Sequence, residues 1–280
     1  MTVNATNETV SPEQLARYAR LIYDRTGIAI SPQKRTLLSN RLRRRLRDTG
    51  IDGYDAYYKH ISKLRDTDPE WDAFLQEITT HETYLFRDES HWNWLRETFL
   101  PEMTEAARKN QRQRTLRILS AACSTGDEPF TMATCVAACL PNASQWKIDI
   151  VGTDIGVGAL EEAKAATFNE RAMRLVPDDY RRRFFTKSPT ASVWAAKPAL
   201  TSMVRFRQHN LMESLAERPF DLVFVKNVLI YFDKPSKQKV LDHIRKLVAS
   251  NGMLVVGAAE GVSDLLGDFQ RLQPWLYRKQ

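Results

Sequence analysis

The apolar positions of the first hundred residues recur at three- and four-residue spacing, the period of one face of an α-helix. Leu15, Tyr18, Leu21 and Ile22 form one stripe, preceded by Ser11-Pro12-Glu13, a cap residue followed by proline at the first helical position. Leu38, Leu42 and Leu46 form a second stripe, opened by Ser31-Pro32 and stopped at Gly50. Two more helices are predicted over about residues 54–64 and 69–77, with no strand pattern between them. Beyond Lys109-Asn110-Gln111 the pattern changes. Short apolar runs at 116–119, 147–152, 220–225 and 253–257 predict strands, and helices are predicted over 129–140, 158–166 and 236–249. Strands alternating with helices of this length indicate βαβ units and a mainly parallel sheet. Residues 181–204 break that rhythm with Pro189, Pro198 and short β-prone stretches, and read as an inserted hairpin or small subdomain.

Composition narrows the class. At 280 residues the chain has room for one large or two modest domains, and 43% hydrophobic with 27% charged residues is ordinary globular usage. No apolar run approaches the ~20 residues that span a bilayer. The opening MTVNATNETVSPEQ is polar, with no charged leader before an apolar stretch, so no secretory signal is expected. Cys123, Cys135 and Cys139 are an odd number without metal-ligand spacing. Cys135 and Cys139 read as small buried residues of one helix, which predicts no metal site and a reducing, cytoplasmic setting. The 41 Lys+Arg against 34 Asp+Glu leave a net charge of +7, which suits nucleic acid, anionic lipid or an acidic protein surface alike.

The first strand–loop–helix is where a nucleotide would bind, at the carboxyl end of a strand. Its loop, Ser120 to Gly126, is made of small residues that let a ligand approach the backbone. A dinucleotide or P-loop site would need more glycines and a free helix N-terminus, whereas here Asp127 and Glu128 put negative charge where phosphate would sit. That suits a ligand with a cationic end, such as S-adenosylmethionine. It equally suits two acidic residues that merely favour a helix start. Asp154 ends the second strand and is placed to accept from ribose hydroxyls.

These residues resemble a family. Residues 78–87 (ITTHETYLFR), 120–130, Gly152-Thr153-Asp154-Ile155 and 226–233 (KNVLIYFD) are similar, in order, to motifs of the CheR-type chemotaxis receptor methyltransferases. The resemblance implies an α/β fold: a Rossmann-like S-adenosylmethionine-dependent methyltransferase sheet with an all-α N-terminal domain and a small inserted β-subdomain. It divides the chain into a substrate-docking helical domain (1–77), a linker helix with a cofactor-contacting motif (78–110) and a methyltransferase domain (111–280) carrying the insert (181–204). It implies methyl transfer to chemoreceptor glutamates, with S-adenosylmethionine contacted by His81, Thr83, Arg87, Ala122, Glu128, Asp154, Asn210, Leu211, Lys226 and Asn227. Arg87 and Tyr231 would be the catalytic residues. His81 stands where Asn is common and Lys226 where Arg is usual.

Residues 34–47 carry seven basic and no acidic residues, and with the leucines on one side Arg43, Arg44 and Arg47 cluster on the far face. The resemblance makes this the helix that docks on the acidic cytoplasmic helical domain of chemoreceptors, with opposite charges steering the encounter. The insert implies a grip on a receptor-tethered peptide, but residues 185–204 hold no glycine, which counts against it. Two other readings are a nucleic-acid methyltransferase, disfavoured by Lys226-Asn227-Val228-Leu229 in place of Asn/Asp-Pro-Pro-Tyr, and a non-catalytic cofactor-binding scaffold. Neither nucleic acid nor membrane insertion is expected.

Overall fold

Capping chemistry sets where the first helices begin and end. At the start of α1 (Pro12–Thr26) the Gln14 N–H donates to the Ser11 hydroxyl at 3.2 Å, and the Ser11 N–H donates to the Gln14 side chain at 2.9 Å. A cap of this kind contributes about 1 kcal/mol. α2 (Arg35–Thr49) follows a 3-10 turn at Pro32–Lys34 and stops at Gly50, in the left-handed conformation. α3 (Tyr54–Ile61) and α4 (Pro69–Ile78) complete the helical domain of the computed structural model, which describes residues 9–79 and 82–280. The two predicted stripes meet Tyr57, Ile61, Trp71 and Phe74 in one buried core, with Leu21 half-buried at its edge.

A long helix leads into the second domain: α5 (Glu89–Trp94) passes through a π-helical stretch, Leu95–Phe99, into α6 (Leu100–Arg108). Trp92, Leu95 and Phe99 belong to the same core as Leu116, Ile118 and Phe224, and Trp92 stacks on Phe224 at 5.4 Å between centroids. The helix therefore packs as part of the α/β core.

The rest alternates as β1 (Thr115–Ala121), α7 (Asp127–Cys139), β2 (Lys147–Asp154) and α8 (Val157–Ala165), then β3 (Thr167–Asn169), α9 (Glu170–Met173), α10 (Asp178–Phe184), β4 (Phe185–Lys187), β5 (Val193–Ala196) and α11 (Pro198–Thr201). It closes with β6 (Val204–Gln208), β7 (Phe220–Val225), α12 (Lys234–Leu247), β8 (Val248–Val256), β9 (Phe269–Gln273) and β10 (Leu276–Lys279). Seven strands form the main sheet in the order β6-β2-β1-β7-β8-β10-β9; the first five are parallel, and β10 is antiparallel to both neighbours. A separate antiparallel sheet has the order β3-β5-β4. It starts upstream of the 181–204 stretch, because three-residue β3 buries only Phe168 and is too short to show a period. β6, β9 and β10 interleave Arg, Gln and Lys with their apolar residues, so no apolar run marks them. Among the described residues no helix is long and apolar enough to cross a membrane.

The strand order turns at β1, which lies between β2 and β7, with Ala121 level with Thr153 on one side and Val225 on the other. In open α/β sheets this crevice takes ligands. At the opposite end Arg117 pairs with Asp149 at 2.9 Å and Glu217 at 2.8 Å, and Arg205 with the same two acids at 2.7 and 2.9 Å, tying β1, β2 and β6 together.

The helical domain is sewn to the sheet domain through the α1–α2 connection. Ile28 bridges to Phe232, the Ala29 N–H donates to the Tyr231 carbonyl at 2.9 Å, and the Asn210 amide donates to the Arg25 carbonyl at 2.7 Å. The Tyr23 hydroxyl lies 2.9 Å from the Asp233 carboxylate. Gly27 makes this approach feasible: its φ is +73°, and a Cβ there would clash with Met212 and come within 3.0 Å of the Phe232 ring. Gly27→Ala is therefore expected to destabilise the protein by about 2 kcal/mol or more, combining left-handed strain with overpacking. A urea melt within 0.5 kcal/mol of wild type would show that the seam yields freely.

Candidate active site

The loop leaving β1 is held by three backbone donors. The Cys123 N–H donates to the Thr153 carbonyl at 2.8 Å, the Ser124 N–H to the Asp154 carboxylate at 2.8 Å, and the Gly126 N–H to the Cys123 carbonyl at 3.0 Å. Ala122 and Ser124 both adopt positive φ, at 59° and 52°, as does Asn227 at 57° at the end of β7. Non-glycine residues in this region persist only where surrounding contacts impose it, commonly at ligand sites. The Cys123 side chain is buried, and burial together with Asp154 holds its thiol well above the ordinary range. Cys135 is buried and Cys139 half-buried, neither in a disulfide, as expected of packing residues.

Two of the hollows that border this loop share residues with each other. The larger has about 1070 Å³ of empty space, its open mouth included. Ala122, Asp154, Asn210, Leu211, Asn227 and Tyr231 line one wall, and the helical domain supplies the other from Thr26 to Arg41. The smaller, about 500 Å³, is lined by Thr83, Arg87, Glu128 and Lys226. Ala122, Ser124 and Asn227 line both. The described residues named from the sequence as cofactor contacts thus all face one of two hollows that share a wall. His81 lies outside the described residues. Arg87 and Tyr231 face different hollows.

Each charged group has a definite partner. Asp154 is 7% exposed and accepts from Ser124 N–H through one oxygen and from Gly156 N–H at 3.0 Å through the other. Glu128 accepts from the Ser120 hydroxyl at 2.8 Å. The Lys226 side chain is 2% exposed and lies between Asp88 at 2.9 Å and Glu128 at 3.5 Å, over the Trp92 ring at 5.4 Å. Asp88 is thereby engaged by Lys226, while Arg87 donates to the Glu82 carbonyl at 3.1 Å and lies 5.7 Å from the Tyr84 ring.

Two cations beside Tyr231 escaped the sequence reading. Lys34 lies over its ring at 5.4 Å, and Arg41 lines the same hollow while donating to the Ile78 carbonyl. Burial draws the Arg41 pKa down, with Arg44 adding to it and Glu77 and Tyr231 opposing. Both sit in the basic run, but only the packing of α2 on α4 and on the α1–α2 connection decides which members of the run face the cleft. Of the three expected docking residues, Arg44 pairs with Glu77 at 2.5 Å, Arg43 bonds Asn40, and Arg47 is exposed.

His91 adjoins this charge network. It is 4% exposed, its ring is 4.3 Å from that of Trp275, and its Nδ1 has no hydrogen-bond partner among the described residues. Burial, reinforced by Lys226 and opposed by Asp88, pushes its pKa from 6.5 down to about 4. The unfolded chain therefore takes up a proton below about pH 6.5 that the folded protein does not, so this contribution to stability is complete above 6.5 and is lost as pH falls toward 4. In His91→Phe, stability measured by urea melts is expected to fall less steeply between pH 6.5 and 4.5, by about 1 kcal/mol per pH unit. Equal slopes would assign the acid sensitivity to other groups.

Comparison with known proteins agrees with this geometry. Residues 13–79 match the description "CheR methyltransferase, all-alpha domain" and residues 81–275 match "CheR methyltransferase, SAM binding domain". A chemotaxis protein methyltransferase of Pseudomonas aeruginosa is 36% identical over 261 residues, 91% of this chain and 92% of its own. Those of Salmonella typhimurium and Escherichia coli are 32% and 31% identical over 265 and 261 residues, covering 93% and 91% of this chain and 88% and 87% of theirs. With both domains matched in order, and the hollows lying where the sheet's switch point puts them, the chain belongs to the CheR methyltransferase family.

Proposed function

We propose that the protein transfers the methyl group of S-adenosylmethionine to glutamate carboxylates on the cytoplasmic helical domain of chemoreceptors, forming methyl esters. The observation that carries this reading is the cationic setting of Tyr231, flanked by Lys34 and Arg41 on the wall of the larger hollow. Such a wall suits an anionic acceptor. The relatives named above are called chemotaxis protein methyltransferases, which supports methyl transfer in chemotaxis.

The donor set fits the cofactor. Each Asp154 oxygen takes one backbone N–H and retains a lone pair, so the carboxylate can still accept from both hydroxyls of a ribose. Glu128 offers a carboxylate to an ammonium in the smaller hollow, and the pair Asp127-Glu128 leaves no place for phosphate at the α7 start. When bound, S-adenosylmethionine supplies a methyl group on a positively charged sulfur.

The acceptor carboxylate, with a pKa of about 4.3, is already ionised at neutral pH, so the chain has no proton to remove. Its task is to hold the carboxylate in line and to keep water away. Lys34 and Arg41 would draw the acceptor in and Tyr231 would hold it by its hydroxyl. Arg87 is half-buried and would reach the acceptor only by turning from the Glu82 carbonyl.

Radiolabelled methyl transfer to a receptor cytoplasmic domain is expected, with the label released by alkali and absent from Glu→Gln receptors; label on nucleic acid instead would overturn the reading. Tyr231→Phe should lower kcat about 10–100-fold, the cost of losing one donor to a charged group. Asp154→Asn should weaken cofactor binding about tenfold in calorimetry. Lys34→Glu should raise KM for the receptor with kcat nearly unchanged, since it acts on the encounter. A kcat loss without a KM change would place Lys34 in the chemistry instead.

A further inference from the structure

The segment from Lys226 to Tyr231 carries three of the residues above, yet its backbone makes few bonds to the rest of the sheet domain. Asn227 is held at positive φ, and residues Leu229–Tyr231 form a single 3-10 turn with Tyr231 N–H donating to the Val228 carbonyl at 3.1 Å. A turn this short cannot fix its own position. Beneath it lies a buried carboxylate that the proposed chemistry does not use.

Glu260 follows the end of β8 and is 1% exposed. One carboxylate oxygen accepts the N–H of Asn227, and the other, also buried, has no hydrogen-bond partner among the described residues. Burial raises the Glu260 pKa above the usual carboxylate range, opposed by the N–H groups of Asn227, Ile230, Val228 and Leu229. The residue itself is anchored from two sides: its N–H donates to the Gly257 carbonyl at 3.2 Å, and Lys237 Nζ donates to its carbonyl at 2.7 Å. Gly257 leaves the space the carboxylate needs, because a Cβ there would stand 2.8 Å from the Glu260 oxygen and 3.5 Å from the Asn227 nitrogen. A buried acceptor that takes the Asn227 N–H fixes the start of the turn, because away from water a lost bond would leave that donor unsatisfied.

We infer that Glu260 is a positioning residue for methyl transfer, holding the Asn227–Tyr231 turn so that Asn227 meets the cofactor and Tyr231 meets the acceptor. The inference rests on the proposed roles of those two residues. Removing the carboxylate frees the turn without touching either ligand, so the loss falls on kcat and, through Asn227, on cofactor affinity.

The test compares Glu260→Gln with wild type for receptor methylation, S-adenosylhomocysteine binding by calorimetry and thermal unfolding. Expected are a kcat at least tenfold lower, S-adenosylhomocysteine binding about three- to tenfold weaker and a Tm within a few degrees. In a Tyr231→Phe background the same change should cost less than threefold in kcat, because the group it positions is already gone. Wild-type kcat and binding, or the full cost repeated in the Tyr231→Phe background, overturns the inference. If Glu260→Gln does not fold, Gly257→Ala keeps the charge but displaces the carboxylate and takes its place in the comparison. Loss of folding in both variants also overturns it, since the carboxylate then serves the fold rather than the turn. If the wild-type protein methylates no receptor, the proposed function fails separately: weakened S-adenosylhomocysteine binding by Glu260→Gln still supports the role of Glu260, and unchanged binding still overturns it.

Discussion

Carboxylates that accept from loop donors hold the cleft in shape. Asp154 takes the N–H groups of Ser124 and Gly156, so the end of β2 fastens both the β1 loop and its own exit. Glu128 takes the Ser120 hydroxyl and faces Lys226, which links α7 to the ends of β1 and β7. Glu260 takes the Asn227 N–H from below. Because these loops leave three adjacent parallel strands at one level, small shifts in any of them would open the walls. Anionic acceptors resist such shifts more than neutral ones, and buried ones are weakly screened. Asp154, with one N–H on each oxygen, keeps a lone pair on both beside the larger hollow.

The second constraint is the seam between domains. The helical domain contributes half of the larger hollow, and it does so because the Gly27–Ile30 stretch runs beside Tyr231 and Phe232 as a backbone-bonded neighbour. This brings Lys34 to the Tyr231 ring and Arg41 to the same hollow. The outward arginines of α2 are more dispersed: Arg44 is matched by Glu77, while Arg47 is exposed. The cleft-facing and outward-facing members of the one basic run are thus distinguished by what α2 packs against.

The helical domain was legible from periodicity because each of its helices buries one stripe and is marked by caps: Ser11 with Pro12, Gly50 and Pro69. β1, β2, β7 and β8 were legible as apolar runs because they lie inside the sheet and are covered on both faces. β3, β6, β9 and β10 were not, being short or carrying Arg, Gln and Lys on a solvated face, where alternation is diluted by charge. Asp154 could be singled out because it ends β2, and Glu128 because it opens α7 after the small-residue loop, both at the carboxyl ends of strands where open α/β sheets take ligands.

What the chain's order of residues determined by itself was the pair of domains, the parallel core and the motif-bearing loops, all consequences of local periodicity and near-neighbour chemistry. What only the tertiary structure decided was which distant groups meet. Lys34 reaches Tyr231 across nearly two hundred residues, Lys226 is buried between Asp88 and Glu128, and Glu260 lies under Asn227 because Gly257 makes room. Each of these contacts joins segments far apart in the chain, and spacing along a sequence carries no information about a distance that only packing creates.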